Sequence, residues 1–445
     1  MTNKLITGGK TISRARRALF SAVLLLVPMC SPQAEAQARL IVRDSLGLPG
    51  LNLTCLLLGC KVVSGLGDPQ GQLFVVTFPS ILNSVTALLK LNVNLIGIVD
   101  VEIDQSVHAQ DPNASATPSY LTDETPTNYY GSSVWHGYLV QPGNQLVQTS
   151  TTHSAWGVTG SGATVAVIDT GVDPNHPVLK NVLVSGYDFT RNVSGGSEDS
   201  DVSASPDLSG AQTADVQQRT VAVLDQRTVA VLDGGNYSAF GHGTMTAGIV
   251  HLVAPQAKIM PLKAFGADGS GYESNILRAI YYAVAHGANV MNMSWDFPTY
   301  SSELASAVKY AQSQGVVAVA SAGNDGRYEY VYPGALPGVI NVASTSDQDI
   351  QSTFTNYGAP PVFMAAPGEG IMTTYPWGTY AAGWGTSFST PFVAGTAALM
   401  MGTNGGCSAA RVPSGLAHAD VIFNPSLGWG RLDSYSAVSA CHWFF

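Results

Sequence analysis

The 445-residue chain carries little charge: Lys and Arg total 20, Asp and Glu total 30, and together they make up 11% of the residues, against roughly 25% in average soluble proteins. With so few cations and a formal net charge of −10, a nucleic-acid-binding surface is excluded, because phosphates need clustered Lys and Arg. Cysteine is scarce as well, five in all, too few for a small scaffold built on disulfides. The apolar run from Ala18 to Met29 falls short of the roughly 20 residues that a membrane-spanning helix requires. No transmembrane anchor is therefore expected in the mature chain.

What is present is a globular composition: 45% hydrophobic residues and 47 glycines, ample for a large buried core. Lys4, Lys10, Arg14, Arg16 and Arg17 precede or open the apolar run, and Ala34-Glu35-Ala36-Gln37-Ala38 offers small-x-small cleavage sites. Residues 1–38 thus read as a signal peptide, and the expected location is secreted or extracytoplasmic. Loss of five basic residues and Glu35 takes the formal charge from −10 to about −14. Export permits disulfides. Four cysteines remain, at Cys55 and Cys60 and at Cys407 and Cys441; their separation favours local pairing within each cluster, the alternative being free buried thiols.

Residues 39–105 read as a small α+β unit: RLIV, LFVVTF and IGIVDVEID are strand-like, and SILNSVTALLKL has helical spacing. Residues 106–151, rich in Asn, Pro, Ser, Thr and Tyr, read as a linker and arm. From 152 to 445 strands alternate with helices: TVAVID, TMTAGIV, YESNILRAIYYAVAHGA, NVMNMS, SSELASAVKYAQSQG and VVAVASA. That order predicts an α/β domain with a mostly parallel sheet covered by helices on both faces. Reactive groups on such sheets collect beyond the carboxyl ends of the strands.

Three short motifs fall at such positions. VAVIDTGVD ends an apolar strand in Asp169, GHGTMTAG sets His242 between glycines at a helix start, and GTSFSTPFVAGTAALMM sets Ser387 in the first turn of an apolar helix. Pro391 is expected early enough in that helix to be tolerated. Singly each has ordinary structural uses. In the order Asp, His, Ser they form a nucleophile, a base and an orienting carboxylate. With ADGSG at 267–271, NMS at 292–294, AGN at 322–324 and YPGALPGVINVAS at 332–344, the stretch Trp156–Leu399 resembles the subtilisin-like serine proteases, the subtilases.

The resemblance implies that Ser387 is the nucleophile, His242 the general base and acid, Asp169 its orienting partner and Asn324 an oxyanion-hole donor. It also implies an extended peptide or protein substrate held between Gly266–Gly271, with Gly266, Asp268, Gly269 and Gly271 contributing, and Ser294–Phe297, through Ser294, Trp295 and Asp296. Ala322 and Gly323 would wall the pocket before the scissile bond, with Val331 as a floor and Asp325 near the rim. Asp296-Phe297 stands where the family commonly has glycines. The unit at 39–105 takes the place of a subtilase propeptide, an intramolecular inhibitor, with processing expected within Gln105–Tyr130 and a monomeric product.

No cofactor is expected for the chemistry. The Asn-rich loop that binds calcium tightly in many subtilases is missing, since GIVHLVAPQA runs straight on. The acidic stretch Ser197–Asp207 is left as a calcium candidate or a solvated loop. Two other classes compete: a catalytically silent subtilase-like binding domain, and a serine esterase, whose G-x-S-x-G elbow fails at Ser389 of GTSFS. An insertion at about 191–235 separates Asp169 from His242 and contains QRTVAVLD twice in succession. Long surface loops cost little closure entropy, so the repeat is either a tolerated duplication or a rim element of the groove.

Overall fold

The computed structural model describes residues 38–78, 86–87, 91, 97–108, 120, 123–201, 239–422 and 424–442, of which 106–108 are described by their backbone only. The leader, most of the predicted helix SILNSVTALLKL, the QRTVAVLD repeat and Trp443-Phe444-Phe445 lie outside the described residues.

The N-terminal unit is a four-stranded antiparallel sheet. It comprises β1 (Arg39–Asp44), β2 (Lys61–Gly65), β3 (Leu73–Thr77) and β4 (Ile98–Ile103) in the order β2-β3-β1-β4, with α1 (Gly47–Leu58) joining the first two. Sequence reading misses α1, whose GLPGLNLTCLLL has no clean apolar stripe. Alternation along β1 and β3 divides the apolar residues between two cores. Leu40, Val42, Phe74 and Val76 pack with Leu51 of α1, whereas Ile41, Leu73 and Val75 pack on the larger domain. A Cys55–Cys60 disulfide closes the C-terminal end of α1.

The larger domain is built on eight strands: β6 (Thr164–Asp169), β7 (Gly186–Asp188), β8 (Val193–Gly195), β9 (Lys258–Lys263), β11 (Val290–Met293), β12 (Val317–Ser321), β13 (Ile340–Thr345) and β14 (Met364–Pro367). Their order is β8-β7-β9-β6-β11-β12-β13-β14, parallel except for the edge pair β7–β8. Val165 and Val167 of β6 face one core with α2 (His242–Val253) and α5 (Thr386–Met401). Ala166 and Ile168 face the other core, with α3 (Glu273–Ala285) and α4 (Ser302–Ser313). The buried parallel strands account for the continuous apolar runs in the sequence.

The stretch after residue 122 is more ordered than a linker. Pro126–Tyr129 pairs with Ser132–Trp135, and short helices follow at His136–Val140, Pro142–Leu146 and Thr149–Trp156. These elements are too short to show a period, and tertiary contacts hold them. Tyr138 is fully buried with its hydroxyl donating to the Gly248 carbonyl (2.6 Å), and Gln141 donates to the Tyr138 and Met372 carbonyls (2.8 and 2.7 Å).

A second disulfide, Cys407–Cys441, ties the loop after α5 to α6 (Ser434–His442) across 34 residues. Replacing both cysteines with serine is expected to lower unfolding stability by about 3–4 kcal/mol on the loop-entropy model. Denaturant titration of the oxidised protein and the double variant measures this; equal midpoints would contradict it.

Candidate active site

Asp169 ends β6, between β9 and β11, with Lys263 opposite it in β9. His242 is the first residue of α2, and Ser387 the second of α5. All three therefore sit at element ends on the carboxyl side of the sheet, where backbone groups lack partners inside their own element. The glycines around His242 are dictated locally. Gly241 has φ +93°, and a Cβ on Gly243 would lie 1.9 Å from the Gly171 carbonyl oxygen. Only glycine lets these two backbone segments approach so closely.

His242 Nδ1 lies 2.7 Å from Asp169 Oδ1. The Thr170 N–H donates to the same oxygen (2.7 Å), and the Thr246 hydroxyl donates to Oδ2 (3.1 Å). The carboxylate is buried and its orientation is fixed by donors on both oxygens. Phe388 flanks the imidazole, with ring centroids 5.8 Å apart.

Ser387 Oγ donates to the Ser294 carbonyl (3.2 Å). In return the Ser294 hydroxyl donates to the Ser387 carbonyl (2.8 Å), and Asn292 Nδ2 donates to the Ser294 hydroxyl (3.0 Å). Pro391 explains the second bond. It is the sixth residue of α5, deeper than the sequence suggests, and it lacks the N–H that would bond the Ser387 carbonyl in a regular helix. Ser294 supplies the missing donor. Asn324 Oδ1 accepts from the Thr386 N–H and hydroxyl (both 2.9 Å). Both donors hold Oδ1 against Thr386.

Two segments flank this centre. In the first, Asp268 Oδ1 accepts from the Ser270 N–H (2.9 Å) and hydroxyl (2.6 Å), shaping a turn closed by the Gly266 N–H to the Ser270 carbonyl (2.8 Å). Beyond the turn, β10 (Ser270–Tyr272) pairs antiparallel with β5 (Ser106–His108) of the N-terminal unit: Ser270 faces His108, Gly271 faces Val107, and Tyr272 faces Ser106. In the second segment, Phe297 exchanges backbone hydrogen bonds with Tyr332 (3.0 and 2.9 Å). Ala322 is buried, and a Cβ on Gly323 would lie 3.4 Å from buried Val331. Asp325 holds Asn356 Nδ2 (3.0 Å), and Asp296 is partly exposed.

The family model described as "Subtilase family" matches residues 160–430. The chain belongs to the subtilase family. It is a subtilisin-like serine endopeptidase. Thermitase of Thermoactinomyces vulgaris is 35% identical over 328 residues, covering 71% of this chain and 99% of that protein. A thermophilic serine proteinase of Bacillus sp. (strain AK1) is 32% identical over 367 residues, 79% of this chain and 78% of that protein. The crystal structure of fervidolysin from Fervidobacterium pennivorans superposes with a TM-score of 0.68 at 23% identity. That match covers 91% of this chain and 61% of fervidolysin, and it bears on the fold alone.

One residue expected in the groove of this subtilase faces elsewhere. The Trp295 side chain is buried in the core beneath β6, its indole N–H donating to the Ile168 carbonyl (2.9 Å). Side chains alternate along an extended segment, and the neighbours of Trp295 differ from it: Ser294 turns its hydroxyl to the Ser387 carbonyl and Asp296 is partly exposed.

Several buried polar residues escape sequence reading. Lys263 is 0% exposed, and its ammonium donates to the Thr170 carbonyl (2.6 Å), the Phe265 carbonyl (2.8 Å) and Asp201 Oδ2 (2.6 Å). Glu198 is also 0% exposed. The described part of the acidic stretch is thus tied down, because Asp201 also pairs with Arg191 and Glu198 reaches the start of α2. Among the described residues no group of three or more His, Cys, Asp or Glu is arranged to hold a metal ion. Thr246 alone had a readable signal: four residues after His242 on one helix, it shares the face that meets Asp169.

Proposed function

We propose that this endopeptidase works through an acyl-enzyme on Ser387, and the contact that carries the reading is His242 Nδ1 on Asp169 Oδ1 at 2.7 Å. With Nδ1–H committed to the carboxylate, Nε2 is the basic nitrogen of the ring. Attack requires the Ser387 hydroxyl to exchange the Ser294 carbonyl for His242 Nε2, which takes its proton as Oγ bonds to the scissile carbonyl carbon. The oxyanion that forms is met by the Ser387 N–H at the start of α5, where the helix dipole adds positive potential, and by Asn324 Nδ2. Asp169 stabilises the imidazolium, which then protonates the leaving amine. Water repeats the sequence on the acyl-enzyme and frees the carboxylate product. Peptide and protein substrates would bind extended between the 266–271 and 294–297 segments, backbone pairing giving affinity and the 322–323 wall selectivity.

Residues 39–108 act as the propeptide in this account, and the protein is exported after removal of the leader. Two observations support it. β5 fills the backbone edge of β10 that a substrate would use. Carboxylates in and just after β4 cap two helices of the larger domain: Asp104 Oδ1 accepts from the Ser274 N–H (3.0 Å) at the start of α3, and Glu102 Oε1 from the Glu303 N–H (3.0 Å) at the start of α4. Arg39 holds Asp104, and Arg43 holds Glu303. No helix among the described residues is long and apolar enough to cross a membrane. Processing falls beyond His108 and before Tyr120, whose hydroxyl already bonds the Gly370 carbonyl of the larger domain. Amino-terminal sequencing of the secreted, active protein tests this: a start within 109–120 is expected, and full activity in a chain starting at Arg39 would overturn it.

The interface also predicts a pH dependence. Glu273, at the start of α3, is buried beside Ser301. Burial first, then the Glu102, Asp104 and Glu303 carboxylates, pushes its carboxyl up to about 8. Departure of the 39–108 unit removes two of those carboxylates, Glu102 and Asp104, and admits water, which returns the group toward the usual value of about 4.3. The bound state therefore holds a proton that the released state gives up. Association is strongest below about pH 4.5 and weakens as pH rises toward 8, by up to about tenfold per unit. Gel filtration of the processed complex at pH 5, 7 and 9 is expected to show progressive loss of the 39–108 unit. In Glu273→Gln the loss should be much flatter with pH, and superimposable curves would sink the assignment.

A further inference from the structure

The helix that begins at His242 has no capping side chain of its own, because its N-cap is Gly241. Its first N–H groups would be orphaned in a buried site. A residue 43 positions earlier in the chain supplies the cap. Glu198 Oε1 accepts from the Gly241 N–H (2.7 Å), and Oε2 accepts from the Thr244 N–H (3.2 Å) and the Thr244 hydroxyl (2.5 Å). The same carboxylate takes the Thr170 hydroxyl (2.5 Å), and Thr170 Oγ in turn accepts from the Gly243 N–H (2.9 Å). Thr170 follows Asp169 and gives that carboxylate its backbone N–H. One buried carboxylate thus joins the turn carrying Asp169 to the turn carrying His242.

We infer that Glu198 is a positioning residue of the catalytic centre: it fixes the distance and angle between Asp169 and His242, and it places a second negative charge beside the imidazolium formed during the reaction. The inference rests on the roles proposed above for Asp169 and His242. Its physical basis is twofold. A carboxylate accepting four donors from two elements leaves neither element free to shift. A negative charge at the start of α2 also opposes the positive end of the helix dipole, which would otherwise disfavour a cation at the first helical residue.

The surroundings agree. The charged or titratable groups that interact with Glu198 are Asp169 from β6, Lys263 from β9 and Tyr375; His242 opens the helix that Glu198 caps, and Asp199 and Asp201 follow on its own segment. Lys263 grips the carbonyl of Thr170 while Glu198 takes its hydroxyl, so the turn after Asp169 is held from two sides by opposite charges. Burial, partly offset by the Thr170 and Thr244 hydroxyls and Lys263, leaves the Glu198 carboxyl pushed up to about 7. Protonation there would replace an acceptor with a donor among four donors, so the clamp is complete only above that pH. The base of the long insertion, 198–201, is by this account part of the catalytic scaffold.

Glu198→Gln keeps the shape and removes the charge. Kinetics on a peptide substrate from pH 5 to 10, normalised to sites titrated with a fluorophosphonate, should show kcat lowered about tenfold at the alkaline plateau, with KM changed by less than about twofold. The acid limb should move to lower pH by about half a unit or more, since a cationic His242 loses a stabilising charge. A loss of equal factor at every pH, or full activity per titrated site, would overturn the inference while leaving the endopeptidase reading intact; an unlabelled, inactive wild type would overturn that reading instead. If Glu198→Gln is not secreted, Thr170→Val and Thr170→Ser replace it. Valine is expected to lower kcat per site and serine to restore it, and a fully active valine variant would count against the clamp.

Discussion

Replacing Ser387 with alanine is expected to lower kcat on peptide substrates by about a millionfold, a scale taken from another subtilase. The size follows from what is lost. Without Oγ there is no acyl-enzyme, and His242 has no proton to take, so Asp169 and His242 become idle together; the effects of such groups are far from additive. Donors for the oxyanion remain, because the Ser387 N–H and Asn324 survive, and a residual rate of about 10³–10⁴ over water is expected from them and from binding. The fold should be unaffected. Among the described residues Ser387 Oγ makes a single hydrogen bond, to the Ser294 carbonyl, and the Ser294 hydroxyl holds the backbone carbonyl of residue 387, which alanine retains. The variant should also accumulate with residues 39–108 still attached. Retention of more than about 1% of wild-type activity per folded molecule would contradict the assignment.

Asp169→Asn is the second large effect, about 10⁴ in kcat with KM little changed. The donors around the carboxylate decide how the amide sits. Oδ1 takes both the His242 Nδ1 contact and the Thr170 N–H, so an NH₂ group there would oppose a backbone donor that cannot rotate. The asparagine oxygen should therefore keep the Oδ1 position and leave the NH₂ facing Thr246, whose hydroxyl has the Gly243 carbonyl as an alternative acceptor (3.1 Å). Tautomer and ring orientation are then preserved, and the loss reports the missing negative charge. A crystal structure of the variant with unchanged His242 geometry, together with the kinetic loss, is the expected pair of results. A rotated imidazole would assign the loss to the tautomer instead.

The parts of this site that were legible in the sequence are those whose constraints are local. An apolar strand ending in Asp169, a histidine between two glycines and a serine opening an apolar helix are each dictated by backbone conformation within a few residues, as φ +93° at Gly241 and the close approach at Gly243 illustrate. The alternation of strands and helices likewise reads from residue patterns of six to seventeen positions. Features that depend on distant pairs were not legible. Glu198 in SEDSD looks like any solvated acidic run until the turn after Asp169 and the start of α2 are brought against it. Lys263 ends an apolar strand and acquires its partners only through the sheet and Asp201. The ring of Trp295 belongs to the core, which its motif does not reveal, because a motif gives position along the chain and not the side to which each residue points. The short elements between 126 and 156 carry no period, and their order comes from contacts such as that of Tyr138 with Gly248.

The most direct test of the catalytic assignment is to treat the purified active protein with a serine-directed fluorophosphonate and map the adduct by peptide mass spectrometry. The account predicts one adduct per molecule, on Ser387, with peptidase activity lost in step, and no adduct in Ser387→Ala. An adduct on another serine, or an active protein that remains unlabelled, would contradict it.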